Sequence, residues 1–209
     1  MKKITALFIF LFFNNLNYSF SQELPDAKKP PEGFNEYLVK TGDTLSRIAP
    51  TNQWEIIMRI NKIDEKHLPL GKTIFIPANI EKATQFFPLA TDISEKYKYM
   101  RLIYISLEKQ FFGTYENGKL IFWGPISSGR KEYKTPPGNY TVLWKAKKYW
   151  SKKYGLPMPY AINISSKGYF IHHQSLSGKP ASHGCVRLLY NDAKKIFNFA
   201  EKNDTVVIE

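Results

Sequence analysis

The chain has 209 residues, and its 30 Lys and Arg against 18 Asp and Glu give a formal net charge of +12. This length accommodates one or two domains. A hydrophobic content of 43%, with 15% aromatic residues, supplies a packed core and excludes a wholly disordered chain. Cys185 is the only cysteine. A single thiol excludes an intramolecular disulfide framework and a metal site made of several cysteines.

The first residues have the pattern of a secretory signal. Two lysines precede an apolar run over residues 4–13, and Ser19 and Ser21 are small residues placed for cleavage after residue 21. The run is too short to span a bilayer unaided. We therefore expect residues 1–21 to be a signal peptide and the protein to be secreted across the inner membrane to the periplasm or cell wall. A signal retained as a membrane anchor is the alternative.

The net positive charge belongs to the C-terminal part of the chain. Residues 22–80 contain eight acidic and eight basic residues, whereas residues 81–209 contain twenty basic and ten acidic ones. Lysines are densest between residues 145 and 153, interleaved with Tyr149 and Trp150. In an exported protein this stretch favours an anionic wall polymer or a membrane surface as partner, and we expect no nucleic acid. A solvated loop is the alternative.

A small module follows a proline-bearing tether at residues 22–35. Residues 36–78 have the pattern strand, helix, helix, strand, because apolar positions alternate at both ends and recur at helical spacing between them. This α+β (βααβ) module of about forty residues is too small for a catalytic cleft of its own.

The module resembles the lysin motif (LysM). The residues that carry the resemblance are Tyr37-x-Val39-x-x-Gly42-Asp43-Thr44-Leu45-x-x-Ile48-Ala49, Asn61 and Gly71-x-x-Ile74-x-Ile76-Pro77. The resemblance implies binding of N-acetylglucosamine-containing glycans such as peptidoglycan, in a groove between two loops. By position it implies glycan contacts from Gly42, Asp43, Thr44 and Leu45 on one side and from Asn61, Lys62 and Ile63 on the other. An inert packing module is the alternative.

Residues 79–98 are a predicted linker, and residues 99–209 predict a second, mainly β domain. Alternating apolar runs predict several strands, two of them joined by an Asn117-Gly118 hairpin turn. One helix is predicted after residue 191, with Asp192 as its cap and apolar residues recurring at helical spacing beyond it. We expect a β-sandwich with a short helix.

Candidate chemistry is concentrated in residues 171–187. This stretch holds the only cysteine and three of the four histidines, His172, His173 and His183. Gly184 permits a sharply turned backbone whose N–H groups can converge on an oxyanion. An imidazole near a thiol favours the nucleophilic thiolate. His172 is the favoured base because it ends a predicted strand, whereas His183 is only two positions from Cys185.

Other interpretations of this cluster stay open. Cys185 could be a buried inert side chain, or a redox-sensing thiol without a resolving cysteine. Zinc could be bound by His172 or His173 together with His183 and Cys185. Adjacent strand residues point to opposite faces, so we expect only one of the two neighbouring histidines to reach the thiol. We expect no metal and no cofactor.

The cluster also resembles the signature of bacterial L,D-transpeptidases. The match is Ile171-His172-x-x-x-Leu176-x-Gly178-x-Pro180-Ala181-Ser182-His183-Gly184-Cys185-Val186-Arg187-Leu188, supported by Ser127-x-Gly129, Thr135-Pro136-x-Gly138-x-Tyr140 and Met158-Pro159-Tyr160. The resemblance implies a β-sandwich catalytic domain that acts on peptidoglycan stem peptides and is acylated by carbapenems.

By position, the resemblance makes Cys185 the nucleophile and His172 the general base. The backbone around His183, Gly184 and Cys185 becomes the oxyanion hole, and Arg187 holds a substrate carboxylate or the frame of the site. The other substrate contacts implied are Ser182, His173 and Tyr160. Many relatives have Gly or Ser where this chain has His173, so an exchange of roles between the two histidines stays open.

The implied reaction begins with a thioester between Cys185 and the third stem residue of a tetrapeptide donor, with release of D-alanine. Transfer to a side-chain amine of another stem crosslinks the wall. Water as acceptor gives an L,D-carboxypeptidase, and a D-amino acid or a protein lysine gives exchange or anchoring. An amidohydrolase using the same thiol and a non-catalytic peptidoglycan-binding protein are the alternatives. The expected partners are the glycan strands and stem peptides of peptidoglycan.

Overall fold

A computed structural model describes residues 30–209, so the predicted signal peptide and most of the predicted tether lie outside the described residues. Within residues 30–209, no helix is long and apolar enough to cross a membrane. The described chain forms a small N-terminal module and a larger β domain, joined by a segment that contacts both.

The N-terminal module has the predicted order of elements. Strand β1 (Phe34–Leu38) pairs antiparallel with β2 (Thr73–Pro77), and helices α1 (Leu45–Ile48) and α2 (Trp54–Asn61) lie between them in the chain. A short 3-10 turn at Thr51–Gln53 precedes α2. The helices pack on the strands around a buried core of Val39, Leu45, Ile57 and Ile74. This arrangement confirms the predicted βααβ module.

The connection between the two domains is packed rather than extended. It contains the short helices α3 (Ile80–Thr84) and α4 (Ser94–Tyr97). The ring of Phe86 packs edge-on against Phe34 of the module and against Trp123 of the β domain, with ring centroids 6.1 and 6.0 Å apart. One aromatic side chain of the connection therefore contacts both domains.

Nine strands of the β domain form one mixed sheet. They are β3 (Arg101–Ser106), β4 (Phe111–Glu116), β5 (Lys119–Ser127), β6 (Gly138–Thr141), β7 (Trp144–Ala146), β10 (Ala161–Asn163), β11 (Phe170–His173), β12 (Val186–Leu188) and β13 (Thr205–Ile208). Their order across the sheet is β6-β13-β3-β4-β5-β12-β11-β10-β7. Strands β8 (Trp150–Ser151) and β9 (Leu156–Pro157) form a separate hairpin, and helix α5 (Tyr190–Phe199) follows β12.

One hydrophobic core unites the sheet and α5. Ile103 and Phe112 come from one half of the sheet, Ile162 and Ile171 from the other, and Ile196 from the helix, and all five are fully buried. Burial of each such side chain contributes about 1.5–3 kcal/mol. Because residues from both halves meet in one core, the sheet curls around it. The predicted mainly β fold with a short helix is confirmed.

Helix α5 begins at Tyr190, so the predicted capping role of Asp192 is wrong. The residue before the helix is Leu189, and no side chain caps this end. Asp192 lies in the first turn and is buried, and its Oδ1 accepts a hydrogen bond from Nη2 of Arg59 at 2.6 Å. Arg59 belongs to α2, so this buried ion pair joins the two domains.

The surroundings of the pair leave it little access to water. The side chains of Arg59 and Asp192 are 13% and 2% exposed. The Arg59 guanidinium lies over the Trp123 ring at 5.5 Å, and Asp192 lies against Gly124, where an added Cβ would clash with the carboxylate. Burial raises the pKa of Asp192 to about 6, and Arg59 opposes that rise. The Arg59 guanidinium, 2.6 Å from Oδ1, thus favours the ionised carboxylate, while burial disfavours it.

Removing one partner of this pair is expected to destabilise the protein. Asp192→Ala removes the buried carboxylate and leaves the Arg59 guanidinium with only the exposed carboxylate of Glu55, 3.0 Å away. Breaking a buried pair in this way costs up to about 3–5 kcal/mol of unfolding free energy. The double variant Arg59→Met with Asp192→Leu removes both charges and is expected to recover most of that loss. Urea unfolding followed by tryptophan fluorescence measures both. A double variant as unstable as the sum of its two single variants would show that the charges are not coupled.

Candidate active site

The predicted base lies on β11, and the predicted nucleophile, Cys185, directly precedes the neighbouring parallel strand β12. Strand β11 pairs with β12 so that His172 lies opposite Arg187 and Ile171 lies opposite Val186. Paired residues on adjacent strands project to the same side of a sheet, as do residues two apart along one strand. His172, Arg187 and Cys185 therefore share one face. Ile171 and Val186 enter the main core on the other face.

Cys185 is nearly buried, at 8% exposure, in an apolar cluster. Its neighbours there are Met158, Ala161, Phe170, Tyr149 and Leu156. Burial raises the pKa of the Cys185 thiol, and a hydrogen bond from the Phe170 backbone and the charges of Arg187 and Lys153 oppose the rise. The thiol is therefore neutral at neutral pH, and attack through it requires a base.

The His172 imidazole is oriented to accept a proton at Nε2. Its Nδ1 lies 2.8 Å from the carbonyl oxygen of His173. A carbonyl oxygen can only accept, so Nδ1 carries the proton and Nε2 keeps its lone pair. Burial lowers the pKa of His172 to about 4, although the bond to the His173 carbonyl opposes this, and the charge of Arg187 lowers it further. The ring is therefore neutral over the physiological pH range.

His173 lies on the opposite face of the sheet from Cys185. Its Nδ1 is 3.1 Å from the Leu188 carbonyl oxygen, and its ring packs edge-on against Tyr190 with centroids 5.2 Å apart. It lines a cleft between α5 and the N-terminal module. This placement argues against the predicted substrate contact of His173 and makes His172 the histidine that shares a face with the thiol.

Ser182 and Tyr160, which were also predicted to contact substrate, are buried. The Ser182 hydroxyl donates to the Cys185 carbonyl oxygen at 2.5 Å and accepts from the Gly184 N–H at 3.0 Å. Tyr160 packs in the main core, and its hydroxyl oxygen is 3.3 Å from that of Tyr190. Both side chains are engaged in internal contacts, so the structure does not present either of them to a substrate.

The turn before Cys185 supplies backbone donors, but not all of the predicted ones. The Gly184 N–H is already bonded to Ser182. In the described part of the chain, the N–H groups of His183 and Cys185 donate no hydrogen bond. Gly184 has a φ of 111°, a backbone conformation that residues with a side chain rarely adopt. The two unbonded N–H groups, rather than that of Gly184, are available to an oxyanion.

His183 lies at the exposed mouth of the site between two aromatic rings. The Tyr154 ring stacks on it with centroids 5.3 Å apart, and the Tyr133 ring is tilted against it at 4.8 Å. Tyr154 belongs to the β8–β9 connection, at the end of the basic aromatic stretch noted in the sequence. Tyr133 lies in a 3-10 turn, Lys131–Tyr133, and no sequence pattern indicated its position.

Arg187 is a half-buried cation beside the thiol. Its guanidinium forms no ion pair among residues 30–209, whereas Arg130 nearby is bonded to Glu132 at 3.4 Å. Burial lowers the pKa of Arg187, and the neighbouring Cys185 opposes this shift. An unpaired guanidinium in this position suits a carboxylate ligand, which it can bind through two parallel hydrogen bonds.

Thr135 connects the turn before Cys185 to the segment that follows β5. Its hydroxyl donates to the Gly184 carbonyl oxygen at 3.0 Å and accepts from the Gly129 N–H at 2.8 Å. Gly129 cannot carry a side chain, because a Cβ there would lie 2.0 Å from the Tyr133 carbonyl oxygen. Both positions belong to the family pattern in the sequence. The hydrogen bonds that connect them depend on the three-dimensional fold.

The first group of predicted glycan contacts contains both exposed and buried residues. Gly42 and Thr44 are exposed, and Asp43 accepts hydrogen bonds from the Tyr37 hydroxyl at 2.9 Å and the Lys40 N–H at 2.7 Å. The side chain of Leu45 is 1% exposed, in the core of the module. Leu45 therefore stabilises the module and does not lie on a surface that a sugar can contact.

The second group of predicted glycan contacts is engaged elsewhere. The Asn61 carboxamide bonds the Ile57 carbonyl and both backbone groups of Phe75, each at 2.8 Å. Ile63 is 1% exposed and forms an antiparallel bridge with Ser177 of the β domain. The loop predicted as one wall of the glycan groove is therefore covered by the β domain.

The zinc ligands considered from the sequence are not brought together. His172 and His173 lie on opposite faces, and His183 is stacked between two tyrosines. Over residues 30–209, no three His, Cys, Asp or Glu side chains are grouped to hold a metal ion.

The fold and the site define a class of protein: a curled β domain preceded by a βααβ module, with a histidine on one strand and a cysteine directly before the parallel strand beside it. Residues 100–208 match the family model of the L,D-transpeptidase catalytic domain (YkuD), and residues 37–77 match that of the LysM domain. The chain therefore belongs to the YkuD family of L,D-transpeptidase catalytic domains and carries a LysM domain, which confirms both resemblances.

Individual relatives support this assignment. L,D-transpeptidase 3 of Mycobacterium tuberculosis is 33% identical over 102 residues, which cover 41% of this chain and 38% of that protein. The L,D-transpeptidase YkuD of Bacillus licheniformis is 24% identical over 179 residues, 82% of this chain and 97% of that protein. An L,D-transpeptidase structure from Stackebrandtia nassauensis has a TM-score of 0.52 and 30% identity, covering 61% of this chain and 62% of that one. The chain thus spans less than two thirds of the mycobacterial relative and of the solved structure.

The two bonds made by Thr135 are expected to stabilise the turn that carries Cys185. Thr135→Val keeps the shape but leaves the Gly184 carbonyl and the Gly129 N–H without a partner. Each buried group left unpaired costs about 1–3 kcal/mol. Thr135→Ser keeps the hydroxyl and is the matched control. Chemical denaturation of the three proteins measures the difference, and equal stability of the Val and Ser variants would contradict this role.

Proposed function

We propose that this protein is an exported L,D-transpeptidase that modifies peptidoglycan through a thioester on Cys185. The observation that carries the proposal is the shared face of three residues in a chain of this family: His172 and Arg187, which pair on adjacent parallel strands, and Cys185, which directly precedes the second strand. A base with a free Nε2, a thiol and an unpaired cation lie together there. Acyl transfer from a substrate with a carboxylate needs these three groups.

The first half of the reaction forms the thioester. As the Cys185 sulfur attacks the carbonyl carbon of the third stem residue, its proton passes to Nε2 of His172. The negative charge that develops on the carbonyl oxygen is stabilised by the backbone N–H groups of His183 and Cys185. The amide bond then breaks, and D-alanine leaves with the proton from His172. The products of this half are an acyl-enzyme and neutral His172.

The second half transfers the acyl group to an acceptor. A stem side-chain amine attacks the thioester carbonyl and gives a proton to His172, which returns it to the departing Cys185 sulfur. The new amide crosslinks two third residues, and both side chains regain their starting states. Water in place of the amine gives a trimmed stem peptide, so the same site supports L,D-carboxypeptidase activity. The acceptor that reaches the thioester decides between these outcomes.

The charges around the thiol favour a donor with free carboxylates. Arg187, Arg130 and Lys153 all act on the titration of His183 at the mouth of the site. Stem peptides carry carboxylates near the scissile bond, so these cations bind and orient the donor. Arg187 is two residues beyond Cys185 and shares its face, and its charge acts on the titration of the thiol, so Arg187 is the proposed holder of a donor carboxylate.

The LysM domain and the predicted signal peptide support a location at the cell wall. LysM binding to the glycan strands would keep the catalytic domain close to stem peptides. In this proposal Gly42, Asp43 and Thr44 contact the glycan, because on this predicted groove wall Gly42 and Thr44 are exposed and Asp43 is partly exposed. The protein is secreted across the inner membrane to the periplasm or cell wall, and carbapenems acylate Cys185.

Incubation of the purified protein with sacculi tests this function. We expect new dimers joined through third residues, or trimmed monomers, when the muropeptides are separated and identified by mass spectrometry. Cys185→Ala removes the nucleophile and should abolish both products while the protein still pellets with the sacculi. His172→Ala is expected to lower the acylation rate by about 10²–10⁴-fold, which is the contribution of a positioned general base.

The matched control for His172→Ala is His173→Ala, which removes an identical side chain from the other face of the same strand. This control should form the acyl-enzyme with a carbapenem, seen as an adduct on the intact protein. The reverse result for the two histidines would reassign the base. Unchanged muropeptides with wild-type protein, or an adduct that survives Cys185→Ala, would contradict the proposed chemistry.

The acylation rate is expected to fall at low pH, with the midpoint of the fall near pH 4. His172 acts as a base only when neutral, and burial lowers its pKa to about 4. The rate should therefore stay level from neutral pH down to about pH 5 and fall as the pH drops through 4. Carbapenem acylation followed by mass spectrometry at each pH measures it, with recovery at neutral pH as the control for unfolding. A midpoint near 6.5, the ordinary histidine pKa, would contradict this assignment.

A further inference from the structure

The base and the nucleophile are joined by one irregular loop. Residues 174–185 connect the end of β11, just after His172, to the start of β12, just after Cys185, and contain no helix and no strand. Such a loop has no hydrogen-bonded ladder of its own to fix its path. Its position therefore depends on the elements that bond to it from outside.

The second half of the loop is held by the β domain itself. The Ser128 carbonyl accepts from the N–H groups of Ala181 and Ser182, and the Ser127 hydroxyl donates to the Lys179 carbonyl at 2.8 Å. Together with Thr135 on Gly184, these bonds connect the nucleophile end of the loop to the end of β5.

The first half of the loop is held by the LysM domain. Oδ2 of Asp64 accepts from the Leu176 N–H at 2.8 Å, and the Asp64 N–H donates to the Leu176 carbonyl at 3.0 Å. The Lys62 carbonyl accepts from the Gly178 N–H at 2.9 Å. Leu176 is fully buried. Two segments far apart in sequence thus form a short antiparallel pairing across the domain boundary.

Asp64 is itself fixed in place, so it can hold the loop. Its other oxygen, Oδ1, accepts from the Lys66 N–H at 3.0 Å and lies 2.6 Å from Nδ1 of His67. The carboxylate is therefore oriented before it meets Leu176. A charged acceptor makes a stronger hydrogen bond to a backbone N–H than a neutral one. This contact is the one side-chain bond in the pairing that substitution can remove.

We propose that Asp64 of the LysM domain is a positioning residue of the transpeptidase site. It fixes the start of the loop that runs from His172 to Cys185. Through this contact the LysM domain helps to hold the catalytic groups in place. This role rests on the proposed function, because it concerns the geometry of acyl transfer. Asp64 acts through Leu176 and touches neither the substrate nor the reacting atoms.

The test compares Asp64→Ala with Asp64→Asn and with Glu65→Ala in the full chain. Asp64→Ala removes the acceptor for Leu176 and is expected to lower the first-order acylation rate constant about 10–100-fold, since small displacements of catalytic groups have effects of this size. The donor concentration for half-maximal rate should stay within about twofold, because the donor contacts near Arg187 are unchanged. Asp64→Asn keeps one acceptor and should recover much of the rate.

Glu65→Ala is the matched control, because it removes an exposed carboxylate one position away and should leave the rate unchanged. Hydrogen exchange read by mass spectrometry follows the loop directly. We expect faster exchange over residues 174–178 in Asp64→Ala and wild-type exchange in Glu65→Ala. If Asp64→Ala does not fold, Asp64→Asn carries the test in a weaker form, because a neutral amide oxygen is a weaker acceptor than the carboxylate. A small increase in exchange over residues 174–178 together with a small loss of acylation rate supports the role, and either change without the other overturns it.

The outcomes separate this role from the proposed function. Acylation of the wild-type protein with an unaltered rate in Asp64→Ala overturns only the role of Asp64. Absence of acylation in the wild-type protein overturns the proposed function and this role together. A rate loss that Asp64→Asn does not relieve, accompanied by an equal change in the half-maximal donor concentration, indicates a general structural defect and counts against positioning.

Discussion

The parallel pairing of β11 with β12 is the constraint on which the site depends. It places His172 opposite Arg187 and so brings the base onto the face of Cys185. Antiparallel neighbours can be joined by a two-residue turn, but parallel neighbours need a connection of about a dozen residues that returns to the starting edge. The connection here is the loop over residues 174–185. The pairing that brings the proposed catalytic groups together thus also requires an irregular loop, which depends on contacts from other elements to fix its path.

The loop is held by two sets of contacts, one from the β domain and one from the LysM domain. The second set gives the LysM domain a proposed role in positioning the site. The end of β5 and Thr135 hold the nucleophile end, whereas Asp64, Lys62 and the buried Ile63 hold the start. The loop over residues 61–63 cannot contact a glycan while it is covered by residues 176–178. Of the two predicted walls of the glycan groove, only the loop around Asp43 is free of this pairing with the β domain. The buried Arg59–Asp192 pair and Phe86 stabilise the same arrangement.

The sequence predicted the parts of the structure that local patterns determine. Apolar spacing predicted the βααβ module, and strand alternation predicted that only one of His172 and His173 would share a face with the thiol. Local patterns gave wrong predictions at positions whose contacts are made by residues distant in the sequence. Asp192 is of a residue type favoured at helix N-caps and lies near the start of the helix. Its carboxylate instead accepts a hydrogen bond from Arg59, 133 residues away in the sequence. Ile63 belongs to a family groove, yet the β domain covers it. Neither contact leaves a periodicity or a motif in the chain.

These contacts show what individual charged residues do, which the counts of acidic and basic residues did not show. The N-terminal part is balanced, but its acids are not equivalent: Glu55 lies 3.8 Å from Lys195, and Asp64 bonds the Leu176 N–H. These carboxylates are used to join the domains. The cations around Cys185 differ, because Arg187 has no ion pair in the described structure. Holding an unpaired guanidinium partly buried costs free energy. In the proposed function, a carboxylate of the donor offsets that cost on binding, which gives the unpaired guanidinium a reason to be there.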